Sequence, residues 1–484
     1  MISWPFVGRA VGALLWCVGA TLLLPLGFSI AFKDGAHTAI LLTMAVAAAS
    51  GAVLMLSTYK KEISPVIAHR EGVLIVTCGW FGAAVLGALP FYLAETFPSF
   101  TDAFFESMSG FTTTGASVLI DIESVPQGIL LWRALTQWLG GMGIIVLSLA
   151  ILPFLGVGGM QLYKAEVPSP VPDKLRPRIK DTAVALWKVY IIFTVAETAL
   201  LMAGGLNLFE ALCHTFTTLA TGGFSTRNAS VGHFQSAYVD GVVTIFMLLA
   251  GINFSLHYLA IGGKPQVFWR DPECRFFLGV CMVLAAATAG SLYGSVYDST
   301  LRAFRYAAFQ VVSILTTTGF ATADYETWPP LTQAILFFCM FLGGSAGSTG
   351  GGIKCLRVML LIKHGYREIM RLIHPHSIYQ VKLGGRMVPS DVLYSVWGFF
   401  ILFLGLYVLF TLMMAALGLD LLTAFSSVAA TMGNVGPGFG AVGPAENYAG
   451  LPTAAKWLLS LSMLVGRLEI YTVLVLLIPE FWRP

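Results

Sequence analysis

Long, charge-poor apolar runs recur from one end of this sequence to the other, and no other feature narrows the fold so far. They fall at about 4–32, 38–58, 72–94, 129–155, 183–205, 237–262, 275–297, 331–362, 391–417 and 453–479. Each is long enough to cross a bilayer as a helix. In lipid every backbone polar group must be satisfied within the segment, which leaves helices for runs of this length. The composition agrees. The chain is 57% hydrophobic and 11% charged, against roughly 25% charged in a soluble domain. A net charge of +3 is too small to argue for a nucleic-acid partner. The first run lacks a short apolar core followed by a small-residue cleavage site, so it reads as a retained span and not a signal peptide. Seven cysteines (Cys17, Cys78, Cys213, Cys274, Cys281, Cys339, Cys355) show no CxxC or Cys/His metal spacing and are expected to be small buried hydrophobes.

Four further apolar segments are too short to span: about 100–111, 208–219, 302–315 and 420–431. Each begins near a polar or charged residue (Thr101/Asp102, Asn207/Glu210, Arg302, Asp420), as a helix N-terminus does. Each runs into a Thr/Gly-rich stretch: GFTTTGAS at 110–117, TLATGGFS at 218–225, LTTTGFAT at 315–322 and TMGNVGPG at 431–438. After residue 70 the pattern is therefore helix, short helix, Thr/Gly loop, helix, four times over. Aligned on Gly115, Gly222, Gly319 and Gly436, the repeats share little identity outside the loops, as an old internal duplication leaves behind. The divisions expected are an N-terminal helix pair over 1–70 and four repeats over 71–160, 161–265, 266–388 and 389–484.

Lysine and arginine set the orientation. The segments 59–71, 156–182, 263–275 and 354–387 hold 3, 5, 3 and 7 of them. On the loop side the main ones are Arg227, Arg302, Arg305 and Lys456. The Thr/Gly loops are thus expected outside, with both termini cytoplasmic.

A single Thr-Gly pair is an ordinary turn. Four of them, each after a short helix and all on one side, call for another account, because non-helical backbone at membrane depth survives only in protein or lining a wet cavity. Glycine admits backbone angles that aim successive carbonyls one way, and rings of carbonyls can replace a cation's hydration shell. The C-terminal ends of the short helices add negative potential. The expected fold is an all-α polytopic membrane protein, with four pseudo-symmetric helix–pore-loop–helix repeats around one central ion pore and the N-terminal pair alongside.

The four loops in this order, "TTTGA", "ATGGF", "TTTGF" and "NVGPG", resemble the TrkH potassium-uptake family over about residues 70–480, and the extra N-terminal pair is similar to that family's. The resemblance implies K+ as the transported ion, with no organic cofactor in this chain. It implies a filter made by Thr113, Thr114 and Gly115 (to Ala116), Ala220, Thr221 and Gly222 (to Gly223), Thr317, Thr318 and Gly319 (to Phe320), and Asn434, Val435 and Gly436 (to Pro437). The fourth loop departs from the pattern, so the ion ring is not four-fold symmetric. The resemblance further implies a homodimer in the bacterial inner membrane, regulated by a cytoplasmic nucleotide-binding TrkA-like subunit. No GxGxxG after a strand is present in this chain itself. In the wider superfamily a serine at the first-loop glycine goes with Na+ permeation, and Gly115 favours K+.

Two other features stand out. The stretch LGGSAGSTGGGIK, 342–354, carries Gly343, Gly344, Gly347, Gly350, Gly351 and Gly352. A helix would lose roughly 1 kcal/mol per glycine there, so the run 331–362 should break. Close helix packing would also use small residues; the resemblance implies an intramembrane gating loop. Arg467 lies deep in the last run. It either faces a wet pore as an electrostatic barrier or pairs with a carboxylate such as Glu197; in the resemblance an arginine on this helix faces the pore. The histidines at 69, 214, 233, 257, 364, 374 and 376 form no metal pattern, and HPHS at 374–377 reads as a solvated turn. The basic residues Lys363, Arg367, Arg371, Lys382 and Arg386 suit anionic lipid or a cytoplasmic partner. A membrane-embedded enzyme would need a nucleophile–base pair or an HExxH-like site, and neither appears in the runs. A Na+-permeable or ion-coupled transporter of the same superfamily is the nearer alternative.

Overall fold

The computed structural model describes residues 2–58, 69–150, 179–375 and 379–483. Most of the basic segments 59–71 and 156–182, the end of the expected span 129–155, the boundary expected at 160/161, and His376 lie outside them.

Among the described residues six helices are long and apolar enough to cross a membrane: Trp4–Phe32, His37–Thr58, Arg70–Leu93, Asp181–Ala203, Pro272–Leu292 and Ser390–Ala416. Their large apolar side chains point outward, as at Leu56, Val195, Met282 and Ile401, while many threonines and serines are buried. That inversion of a soluble core is what lipid as solvent requires. The four short helices are Phe100–Phe111, Leu208–Leu219, Thr300–Leu315 and Leu421–Met432. Three have side-chain caps, two of them at residues the sequence suggests: Asn207 and Asp420 accept from the backbone N–H of Glu210 and Thr423, and Ser99, just before the expected Thr101/Asp102, accepts from Asp102 N–H, each satisfying a donor that the first turn leaves free. The third starts at Thr300, earlier than expected, with no side-chain cap. Each short helix stands between two longer ones, giving four helix–loop–helix repeats, and the N-terminal helices pack on His69–Leu93.

Three of the apolar runs are broken, one of them where the glycines predict it. Run 331–362 ends its first helix, Pro330–Cys339, before the glycines, and a second helix, Cys355–Ile373, begins after them. The break falls where the glycines weaken the helix. The other two breaks were not expected. Helices Ala237–Gly251 and Phe254–Ile261 meet at 104°. The glycine-rich segment satisfies the backbone groups freed there: Ser345 N–H donates to Gly251 O at 2.8 Å and Phe254 N–H to Gly347 O at 3.1 Å. Asn253 caps the second piece through Ser255 N–H at 2.8 Å. The last run bends by 112° between Thr453–Arg467 and Tyr471–Leu477. There Glu469 and Ile470 adopt φ of +58° and +46°, and Glu469 pairs with Arg357 at 2.5 Å. Arg467 is therefore the last residue of a helix and not the middle of one, a correction that follows from reading depth along a straight span.

Two smaller departures complete the picture. Lys382–Leu383 and Arg386–Met387 form a two-residue antiparallel ribbon, turned by Gly384 and Gly385 at φ of +54° and +83°, as a tight hairpin needs. Of the seven cysteines, all free, Cys17 and Cys78 are exposed and the other five buried, because those two lie on outward helix faces.

Candidate functional site

The four loops share one backbone course. The residue after each helix cap is left-handed: Thr113, Thr221, Thr317 and Asn434 have φ of +50°, +53°, +61° and +54°. Two residues on, Gly115, Gly223, Gly319 and Gly436 have φ of +84°, +75°, +82° and +103°. Asparagine tolerates the left-handed region, but a β-branched threonine is held there at a cost of about 1–2 kcal/mol. Three such residues at equivalent places mark a site where the surroundings impose the conformation. The N–H groups of the loops turn back to their own helices: Thr114 to Ser109 O, Gly222 to Thr217 O, Thr318 to Ser313 O and Val435 to Ala430 O, each at 2.8 Å. These are the long C-terminal bonds of a Schellman end.

With the N–H groups tied back, a carbonyl of each loop meets a glycine of its neighbour. A Cβ on Gly115 would lie 2.2 Å from the oxygen of Gly222; one on Gly223, 2.0 Å from that of Thr318; one on Gly319, 2.0 Å from that of Val435; one on Gly436, 2.7 Å from that of Thr114. The order is first loop on second, second on third, third on fourth and fourth on first. Four chain segments remote in sequence thus close a ring in which each glycine admits its neighbour's carbonyl. The residues at 113–114, 221, 317–318 and 434–435 are fully buried. Among the described residues no hydrogen bond is donated to the carbonyls of Thr113, Thr114, Thr317, Thr318, Asn434 or Val435. A buried carbonyl without a partner is costly unless water or a cation supplies one.

The glycine-rich segment lies against the helix ends beneath this ring. Gly351 N–H donates to Thr317 Oγ1 at 2.7 Å. Thr349 Oγ1 donates to Leu219 O at 3.0 Å and contacts Ala250 O at 3.2 Å. A Cβ on Gly351 would stand 2.6 Å from Gly433 O. Parts of the second, third and fourth repeats therefore grip the segment. Arg467 Nη1 donates to Thr349 O at 2.8 Å. The guanidinium is buried, and among the described residues its Nε and Nη2 have no hydrogen-bond partner. Among the described residues Arg467 and Glu197 form no ion pair, and Glu197 is fully buried.

This architecture matches a known family along nearly its full length. The TrkH family model, described as a cation transport protein, matches residues 36–483. The chain belongs to the TrkH family. It is 46% identical over 482 residues to the Trk system potassium uptake protein TrkH of Salmonella typhimurium, covering 99% of both chains. The corresponding TrkG protein of Escherichia coli is 38% identical over 480 residues, with 99% of this chain and 98% of that one covered. The crystal structure of the potassium transporter TrkH from Vibrio parahaemolyticus superposes with a TM-score of 0.91 at 41% identity, covering 100% of each chain. The family is one of cation transport proteins and not of enzymes.

In this TrkH-family chain the second loop is placed one residue later than the sequence suggests. Gly223, not Gly222, is the equivalent of Gly115, Gly319 and Gly436, and Thr221 is the equivalent of Thr113, Thr317 and Asn434. Ala220 is the helix cap. Two adjacent glycines made the register ambiguous. The length of the short helix before them is the signal that resolves it, since each loop turns left-handed one residue past the cap.

Buried polar side chains hold the loops from behind, and sequence reasoning did not find them. Arg133 Nε pairs with Glu106 Oε1 at 2.6 Å, with side chains 3% and 0% exposed. Glu106 also accepts from Ser117 Oγ at 2.9 Å and Val118 N–H at 2.9 Å. Arg133 donates to Ser225 O at 3.0 Å and lies 3.5 Å above the Phe224 ring. In the second loop His214 Nε2 contacts Ser225 Oγ at 3.0 Å. In the third, Ser313 Oγ donates to Phe320 O at 2.7 Å. In the fourth, Ser426 Oγ bonds Phe439 O at 2.7 Å and accepts its N–H at 3.0 Å. A charged residue in an apolar run was the available signal for Arg133. Arg133→Met should leave a buried carboxylate uncompensated, at about 3–5 kcal/mol, and lower the melting temperature sharply. Glu106→Gln added to it should recover part of the loss. A single variant melting like the wild type would show that the pair contributes nothing.

Proposed function

We propose that this chain carries K+ into the cell through one central pore across the bacterial inner membrane. The carbonyls of the four loops form the selectivity filter, from Thr113–Gly115, Thr221–Gly223, Thr317–Gly319 and Asn434–Gly436. The observation that carries this is the closed ring in which each glycine accommodates the next loop's carbonyl. The loop N–H groups are bonded back to their own helices, which leaves the carbonyls as the free polar groups of the loops. Rings of such oxygens replace the hydration shell of a desolvated cation. The ends of the four short helices point the negative poles of their dipoles at the same place. The relatives named potassium uptake proteins support K+ as the cargo. The lysine and arginine distribution supports loops outside and termini inside.

The glycine-rich segment is the gate, with Arg467 beneath the filter as a charged barrier. Glycines 343, 344, 347 and 350–352 let the segment lie against carbonyls and helix ends, and its bonds to Leu219, Thr317 and Arg467 hold it shut. A cytoplasmic nucleotide-binding subunit of TrkA type would open it, and two copies of the chain would form the transporter. Uptake of radiolabelled Rb+ into proteoliposomes, competed by K+ and by Na+, tests the reading. K+ should compete and Na+ should not; equal competition would reject a K+ filter. Removing residues 345–350 tests the gate: Rb+ flux without any partner should rise several-fold. Wild-type flux in the folded deletion protein would make the segment a packing device.

A further inference from the structure

At the ring position that contributes the carbonyl, three loops carry a side chain and one does not. The residues are Thr114, Gly222, Thr318 and Val435. Thr114 Oγ1 is tied to Thr112 Oγ1 at 2.7 Å and to Asn434 Nδ2 at 3.0 Å. Thr318 Oγ1 is tied to Thr316 Oγ1 at 2.8 Å. Val435 is buried in the apolar core. Each of these three side chains anchors its own peptide. The second loop has Gly222 followed by Gly223, so no side chain of its own restrains the peptide between them, which its helix holds only through a long bond from Gly223 N–H to Thr217 O at 3.5 Å, and paired glycines have the largest conformational freedom to lose.

The missing anchor is supplied from another helix. Gln137, fully buried on Gln127–Ala150, donates from Nε2 to Gly222 O at 2.7 Å. Its Oε1 accepts from Phe224 N–H at 3.1 Å. The one amide thus spans Gly223 and fixes the peptides on both sides of it. The fit is steric as well as polar: a Cβ on Gly222 would fall 2.3 Å from Gln137 Cδ. The space that threonine or valine fills in the other loops is here occupied by Gln137. Among the described residues Gly222 O is the only one of the four ring carbonyls that accepts a hydrogen bond. A carbonyl has two lone pairs, so this bond leaves one for an ion while setting the direction of the group.

We propose that Gln137 is a positioning residue for ion selectivity, holding the Gly222 carbonyl at the ring in place of the side chain that the second loop lacks. This rests on the reading of the four loops as the filter. Without the amide, only the 3.5 Å bond from Gly223 N–H to Thr217 O holds the Gly222–Gly223 peptide, and a ring that has lost one firmly fixed oxygen no longer distinguishes a larger from a smaller cation.

The test is the ratio of Rb+ to Na+ flux in proteoliposomes of the full-length protein, with the melting temperature of the same preparation. Gln137→Met keeps the length and the burial but removes both hydrogen bonds. The ratio should fall about tenfold, chiefly because Na+ flux rises. If Gln137→Met does not fold, Gln137→Asn keeps an amide one methylene too short to span Gly223, and the same fall is expected. Gly223→Ala is measured beside it. An unchanged ratio in the folded Gln137 variant, with a lowered one in Gly223→Ala, overturns the role of Gln137 and leaves the filter standing. Unchanged ratios in both overturn the filter reading and this inference with it. A lower melting temperature at an unchanged ratio makes Gln137 a packing residue only.

Discussion

Gly223→Ala is expected to collapse the preference for Rb+ over Na+, and Gly319→Ala to do the same. The added Cβ at either position would lie 2.0 Å from the carbonyl of the next loop, Thr318 or Val435. Neither carbonyl can retreat as a flexible side chain would, since its peptide is tied back to its helix through Gly319 N–H to Ser313 O at 3.2 Å or Gly436 N–H to Ala430 O at 3.4 Å. The φ of +75° or +82° adds strain for any residue with a Cβ. A penalty of roughly 1–3 kcal/mol on one ring carbonyl corresponds to about tenfold or more in discrimination. Gly205 separates strain from contact. Its φ is +95° and a Cβ there would meet nothing within 4 Å, so Gly205→Ala should keep the wild-type ratio. Gly115→Ser should act like the first two, because its Cβ would stand 2.2 Å from Gly222 O. Wild-type ratios in all three folded loop variants would remove the loops from the permeation path.

Arg467→Ala should raise K+ flux several-fold with a small change in stability. A positive charge about 8 Å from a K+ ion costs roughly 2 kcal/mol at an effective dielectric near 20, and a hydrated cavity would reduce this. Among the described residues the guanidinium makes one hydrogen bond, to Thr349 O, and no ion pair. Removing it therefore strands no opposite charge, and the stability loss should be close to one hydrogen bond, about 1 kcal/mol. The same change releases Thr349 from below, which also favours an open path. Lysine separates the two effects. It keeps the charge, so if the barrier is electrostatic Arg467→Lys should carry K+ nearly as the wild type does. If the lysine variant is as fast as alanine, the hold on Thr349 is what restrains flux. A large fall in melting temperature without faster flux would reject both and make Arg467 a structural residue.

The apolar runs by themselves determined a polytopic helical membrane protein, because lipid leaves a long uncharged segment almost no other choice. The short helices were legible for the same kind of reason. Capping residues such as Asn207 and Asp420 act on backbone a few residues away, and local chemistry is written locally. The glycines at 343–352 likewise foretold a broken helix. What the sequence could not carry was any arrangement that joins distant segments. The register of the second loop turned on whether Gly222 or Gly223 receives the carbonyl of Thr318, a contact made across the ring. The bends at Ile252 and Glu469 follow from bonds to the glycine-rich segment and to Arg357, while the local sequence reads as continuous helix. Arg467 met a backbone carbonyl and not Glu197 because the bend moved it to a helix end. Gln137, Glu106 and Arg133 looked like isolated polar residues in apolar stretches. Only when the repeats pack side by side do they face the loops, since a hydrogen bond or an ion pair has no period along the chain that a reader could follow.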